Sequence, residues 1–99
     1  MLKAIILEDE VKSLINIRTQ LSQHCDNVQI VAEARSLAEC KELIQNTDLQ
    51  IDIAFMDIDL PDGLAFQLLE EIKPIDFEIV FVTGHNQYAI RAFDFASIG

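Results

Sequence analysis

The sequence predicts a doubly wound α/β fold in which four strand–helix units, (βα)4, surround a parallel sheet. Three observations carry this. Strand-like and helix-like patterns alternate along the whole chain, the strand-like runs are apolar as strands buried on both faces are, and three of those runs end in acids or a hydroxyl. Alternation of this kind implies right-handed helical crossovers between parallel strands. In the first unit, residues 3–8 form a continuous apolar strand around Ala4-Ile5-Ile6-Leu7. A helix over about 11–25 then places Val11, Leu14, Ile15 and Leu21 at helical spacing, with Lys12, Arg18 and Gln20 between them.

The second unit begins with Val28–Ala34, a mixed and partly alternating run that reads as an edge strand. Ser36-Leu37-Ala38-Glu39 has the pattern of a capping box, in which serine and glutamate satisfy early helix N–H groups reciprocally. The helix it opens presents Leu37, Cys40, Leu43 and Ile44 on one face. In the third unit, Ile51–Ile58 is a strand and Asp59-Leu60-Pro61-Asp62-Gly63 a turn rich in breakers. Leu64–Lys73 follows as a helix with Leu64, Leu68 and Ile72 in one row, and Pro74 ends it. The fourth unit is a strand over Phe77–Val82 and a helix from Asn86 to about Ala96, with Ala89, Ala92, Phe93 and Ala96 inward. No internal repeat, low-complexity tract or linker divides residues 1–99, which read as one domain.

Ninety-nine residues, 51% hydrophobic and 24% charged, suit one small globular domain with a single core. A formal charge of −10 opposes a nucleic-acid surface in this segment, because phosphates would be repelled. Cys25 and Cys40 lack a metal-type spacing and read as reduced thiols. The first apolar run is too short for a signal peptide, and no run approaches the ~20 apolar residues of a membrane span. A cytoplasmic protein with no membrane partner is expected.

The strand tips carry the chemistry. Glu8-Asp9-Glu10 follows the first strand, Asp57 ends the third, and Thr83-Gly84 ends the fourth. Open parallel α/β sheets bind ligands beyond the C-terminal ends of their strands. If these tips converge they form a carboxylate cluster beside a hydroxyl, suited to a hard divalent cation and to phosphoryl chemistry. Glu10, Asp52 and Asp62 read instead as solvated loop acids, His85 as a loop or cap residue, and Met56 and the phenylalanines as core. His24 beside Cys25 supplies only two possible ligands, too few for a metal site.

With these residues in place, the chain resembles the receiver domain of two-component response regulators. The resemblance rests on Ile-Leu-Glu-Asp-Glu after the first strand, Phe-Met-Asp-Ile-Asp-Leu-Pro-Asp-Gly around the third, and Phe-Val-Thr-Gly ending the fourth. It runs in order from residue 1 to 99. The segment His85-Asn86-Gln87-Tyr88-Ala89-Ile90-Arg91-Ala92-Phe93 also resembles regulators whose output is a LytTR-type DNA-binding domain. The resemblance implies a flavodoxin-like strand order of 2-1-3-4. It implies that Asp57 accepts a phosphoryl group from the phosphohistidine of a sensor histidine kinase, and that Mg2+ is held by Asp9, Glu8, Asp57 and the backbone carbonyl of Asp59. Thr83 takes the position of the switch hydroxyl, and the N–H groups of Asp59 and Gly84 match positions that contact the phosphoryl oxygens. DNA would be reached only through an output domain that this chain does not contain.

The chain departs from the family pattern in three ways. The fifth strand, with its lysine and aromatic switch residue, is absent, so the sequence is expected to be incomplete at its C-terminal end. The turn after Asp57 reaches Gly63 in six positions, two fewer than in many receivers. Glutamate opens the acidic pair and lengthens one arm of the site. Without the lysine, metal binding with slow or poorly held phosphorylation is expected. Loss of the fifth strand would expose the fourth as an edge, so self-association as a dimer through Ile79–Val82, or through the last helix, is expected as well.

Two readings from other classes compete. Asp57-Ile58-Asp59 resembles the Asp-x-Asp pair of haloacid-dehalogenase-type Mg2+ phosphohydrolases, although the downstream lysine and acid pairs of those enzymes are not visible. A receiver-like module that no longer signals is the other. Multiple turnover of a phosphate ester would mark the first, and failure to bind Mg2+ the second.

Overall fold

The computed structural model describes residues 1–46 and 48–82. Thr83, Gly84, His85 and the helix expected from Asn86 lie outside the described residues. Within them the order is β1 (Leu2–Leu7), α1 (Val11–His24), β2 (Val28–Ala34), α2 (Leu37–Gln45), β3 (Ile53–Met56), β4 (Asp59–Leu60), β5 (Gly63–Leu64), α3 (Ala65–Ile72) and β6 (Glu78–Phe81). Four parallel strands form one sheet in the order β2-β1-β3-β6. This is the expected 2-1-3-4 order, because β4 and β5 form a separate two-stranded hairpin. As expected, β2 lies at an edge of the sheet.

Side chains on a strand alternate between faces, and β1 shows what that does here. Ile5 and Leu7 enter one core layer with Ala54, Met56, Cys40, Leu68 and Leu69, packed under α2 and α3. Ile6 faces the other layer, where Leu14, Ile17 and Leu21 of α1 cover it alongside Phe55 and Val82. The sheet is therefore apolar on both faces, and Ala4 to Leu7 are fully buried. Phe66 of α3 meets Phe81 of β6 with ring centroids 5.5 Å apart and planes inclined by 50°. Cys40 lies in the first layer and Cys25 packs against the second, so the sheet separates the two thiols and both are free.

Several details differ from the sequence expectation. The third strand spans four residues instead of eight, Ile53–Met56, and beyond it the chain turns into the hairpin. The Asp52 carboxylate accepts the backbone N–H of Lys3 at 2.8 Å, so this residue is more than a solvated acid. On α1 the buried row is Leu14, Ile17 and Leu21, while Val11 and Ile15 are 51% and 52% exposed. The helix is rotated so that Ile17, not Ile15, meets the sheet. At α2 the capping box is half formed. Ser36 Oγ accepts the N–H of Glu39 at 3.2 Å, but the Glu39 carboxylate takes the N–H of Arg35 at 2.8 Å.

Among the described residues, no helix is long and apolar enough to cross a membrane. Surface ion pairs link Arg18 of α1 to Glu33 of β2 and, at 3.1 Å, Lys41 of α2 to Glu71 of α3. Exposed pairs of this kind contribute little, about 0–1 kcal/mol each.

Candidate functional site

The register of the sheet builds the acidic site. Leu7 of β1 pairs with Met56 of β3, so the next residues, Glu8 and Asp57, leave the sheet side by side. The ladder continues one step past the strands: the Asp57 N–H donates to the Leu7 carbonyl at 2.8 Å, and the Glu8 N–H to the Ala34 carbonyl at 3.0 Å. By alternation both residues follow Ile6 and Phe55 onto the α1 side of the sheet. Asp9 comes next, before Glu10, which stands at the N-cap of α1 without a side-chain cap bond. Carboxylate oxygens of Glu8, Asp9 and Asp57 all lie within 4.8 Å of one another.

Their environments are unequal. Glu8 is only 5% exposed, and its Oε2 is buried without a hydrogen-bond partner. Burial pushes its carboxyl up to about 7, the adjacent Asp57 carboxylate adds to the rise, and Ser13 opposes it. Asp57 and Asp9 are half-buried. Asp57 Oδ1 accepts the N–H of Ile58 at 2.8 Å, which fixes the side chain against its own turn.

An unpartnered buried carboxylate oxygen among three acids is costly unless positive charge compensates it. The donor set is all oxygen, as Mg2+ or Ca2+ requires. The residues present therefore fit a hard divalent cation.

The hairpin after Asp57 holds the remaining described candidate. Asp59 is exposed in β4 and pairs with Leu64 of β5 across the two-residue connection Pro61-Asp62. Gly63 has φ +140°, and the Ala65 N–H returns to the Ile58 carbonyl at 2.8 Å. The short turn thus closes as a compact hairpin that leads directly into α3. The fourth strand reaches the same end of the sheet, where the Val82 N–H donates to the Met56 carbonyl at 2.8 Å. Thr83 and Gly84, the expected switch and phosphoryl contacts, lie outside the described residues.

Two residues near the site escaped the sequence reading. Asp62, read as a solvated acid, accepts the N–H groups of Leu37 and Ala38 at 2.9 and 3.2 Å and so caps α2 from another loop. Those bonds, Leu37's foremost, hold its carboxyl below the usual range. Arg35 Nη2 donates to the Asp9 carbonyl at 3.1 Å. Neither contact leaves a local pattern, because the partners are 25 and 26 residues apart.

Comparison with known proteins agrees with this geometry. Residues 4–97 match the response regulator receiver domain family. An uncharacterized response regulatory protein of Yersinia pestis is 37% identical over 95 residues, covering 95% of this chain and 39% of that protein. The transcriptional regulatory protein NatR of Bacillus subtilis is 33% identical over 96 residues, covering 95% of this chain and 40% of NatR. The chain thus spans about two-fifths of the length of these relatives. Among solved structures, the response regulatory domain of protein mrkE from Klebsiella pneumoniae superposes with a TM-score of 0.81 at 25% identity, covering 94% of this chain and 75% of that one.

Proposed function

We propose, because the chain belongs to the response regulator receiver domain family, that Asp57 is its phosphoacceptor and that Glu8 and Asp9 hold Mg2+ beside it. Receiver domains are signalling modules of two-component systems and not turnover enzymes, which sets aside the phosphohydrolase reading. The observation that carries the site assignment is the convergence of three carboxylates around the buried, unpartnered Glu8 Oε2.

With Asp57 Oδ1 engaged by the Ile58 N–H, Oδ2 acts as the nucleophile. It forms a bond to the phosphorus of a kinase phosphohistidine as the P–N bond breaks, and the imidazole leaves with the electron pair. Bound Mg2+ would screen Asp57 from the anionic donor and offset charge in the loose transition state. The Asp59 carbonyl is assigned as a further metal ligand, and Thr83 with Gly84 as the groups that bond the transferred phosphoryl. A new charge near −2, by analogy with phosphorylated hydroxyls, recruits such donors and biases a two-state surface.

The same reading makes the protein cytoplasmic, with a sensor histidine kinase as donor. It also gives the protein a transcriptional output of the LytTR type. NatR, named a transcriptional regulatory protein, supports the output assignment. Self-association would use β6, an edge among the described strands on which Val80 is 39% exposed.

The test is incubation with Mg2+ and an acyl phosphate, followed by intact mass. The expected result is one added phosphoryl group, Mg2+-dependent and lost in Asp57→Asn. Absence of the group from the wild-type chain throughout an extended time course, or retention in Asp57→Asn, overturns the assignment.

A further inference from the structure

We infer that the first turn of α2 clamps both ligand-bearing loops of the acidic site, with Arg35 and Asp62 as its positioning residues. The inference rests on the proposed reading of Glu8, Asp9, Asp57 and Asp59 as the metal site, and it adds residues that touch none of the reacting atoms.

The amides that open a helix lack partners within it, and α2 shows where those after its cap go. Cys40 N–H makes the first intrahelical bond, to the Ser36 carbonyl at 3.1 Å, and Glu39 N–H bonds Ser36 Oγ. Between them, Leu37 and Ala38 are taken by the two carboxylate oxygens of Asp62. Asp62 lies in the connection of the β4–β5 hairpin, three residues beyond Asp59. A carboxylate at a helix N-terminus is also favoured by the helix dipole. The loop that follows Asp57 is thereby tied to α2 at two points.

The other loop is tied from the residue before the cap. The Arg35 backbone N–H donates to Glu39 Oε2 at 2.8 Å, holding this residue against the turn. Its guanidinium reaches across to the Asp9 carbonyl. Loops 8–10 and 57–63 therefore share one anchor, the β2–α2 junction from Arg35 to Ala38. Mg2+ tolerates little deviation from octahedral geometry. Loss of a group that orients a metal ligand typically costs about 10–100-fold in affinity. A rigid helix turn bonded to both loops provides that orientation. Ser36 Oγ caps only its own helix and reaches neither loop, so it separates helix stability from ligand positioning.

The test is calorimetric titration of the full chain with Mg2+, alongside thermal unfolding without metal. Asp62→Ala and Arg35→Ala are each expected to weaken Mg2+ binding roughly tenfold. Their combination should be non-additive, because both act through one turn. Asp62→Asn, which keeps an oxygen for one amide, should recover part of the affinity. Ser36→Ala should lower the unfolding midpoint yet leave the Mg2+ affinity within about twofold, as expected where no second contact to a ligand is lost. Wild-type binding with unchanged affinity in Asp62→Ala and Arg35→Ala would overturn the clamp alone. So would a Ser36→Ala loss as large as theirs. Failure of the wild-type chain to bind Mg2+ overturns the metal site itself and the clamp with it.

Discussion

Glu8 and Asp57 are lateral neighbours one step past the paired ends of β1 and β3, and the sheet register that pairs Leu7 with Met56 holds them there. Two acids fixed side by side by backbone hydrogen bonds cannot relax apart as surface side chains would. The consequence falls on Glu8, the more buried of the two.

Burial, reinforced by Asp57, raises the Glu8 carboxyl from 4.5 to about 7. A raised carboxylate pKa means that the folded state holds a proton that the unfolded chain releases. The metal-free protein is therefore expected to lose stability as pH climbs from 4.5 to 7, by up to about 3 kcal/mol. Glu8→Gln removes this loss. In chelator, urea unfolding should show Glu8→Gln more stable than wild type at pH 8 and equal to it near pH 4.5. Equal stability at pH 8 would sink the prediction. Added Mg2+ should stabilise wild type more than Glu8→Gln, which keeps only Asp9 and Asp57 as charged ligands.

The acids at the strand tips were legible in the sequence because a strand's alternation and end can be read locally. Residues 4–7 and 53–56 are apolar in both registers, so the next polar residue must stand at the tip. What could not be read was the tie from Asp62 to α2. A capping carboxylate from a loop 25 residues away follows no periodicity, and Ser36 already looked like a sufficient cap. Helix rotation was hidden for a related reason. Ile15 and Ile17 are equally apolar, and only the position of Ile6 beneath α1 decides which is buried.

The α3–β6 contact gives a second prediction. Phe66 is fully buried and stacks at a tilt on Phe81. Phe66→Ala should cost roughly 3–5 kcal/mol, the usual range for emptying such a site. Phe66→Leu should recover most of it. Denaturant titration would measure both, and a loss below about 1 kcal/mol for alanine would contradict the packing described.

The two thiols should differ sharply in reactivity. Burial pushes Cys40 up to about 12, so almost no thiolate forms at neutral pH, whereas Cys25 is only half-buried. Brief treatment of the native protein with iodoacetamide should label Cys25 and spare Cys40, with both labelled in urea. Peptide mapping that finds Cys40 modified first would show that the α2 layer opens easily.

The hairpin turn supplies the last prediction, in which two costs separate. Gly63 has φ +140°, a conformation that L residues rarely adopt, and a Cβ there would lie 2.3 Å from Gln67 Oε1 and 3.1 Å from Leu37 Cδ1. Gln67 Oε1 accepts the Leu64 N–H at 2.9 Å, so moving that side chain aside would also leave an amide at the start of α3 without its partner. Gly63→Ala is expected to destabilise by roughly 1–3 kcal/mol through the backbone alone, with the contact adding to it. In the Gln67→Ala background the contact with Oε1 is gone but the backbone cost stays. Gly63→Ala should therefore cost less there than in wild type, yet still more than zero. A double-mutant cycle in urea measures the difference. Full recovery in that background would mean that the positive φ carries no strain and that steric contact explains the whole requirement for glycine.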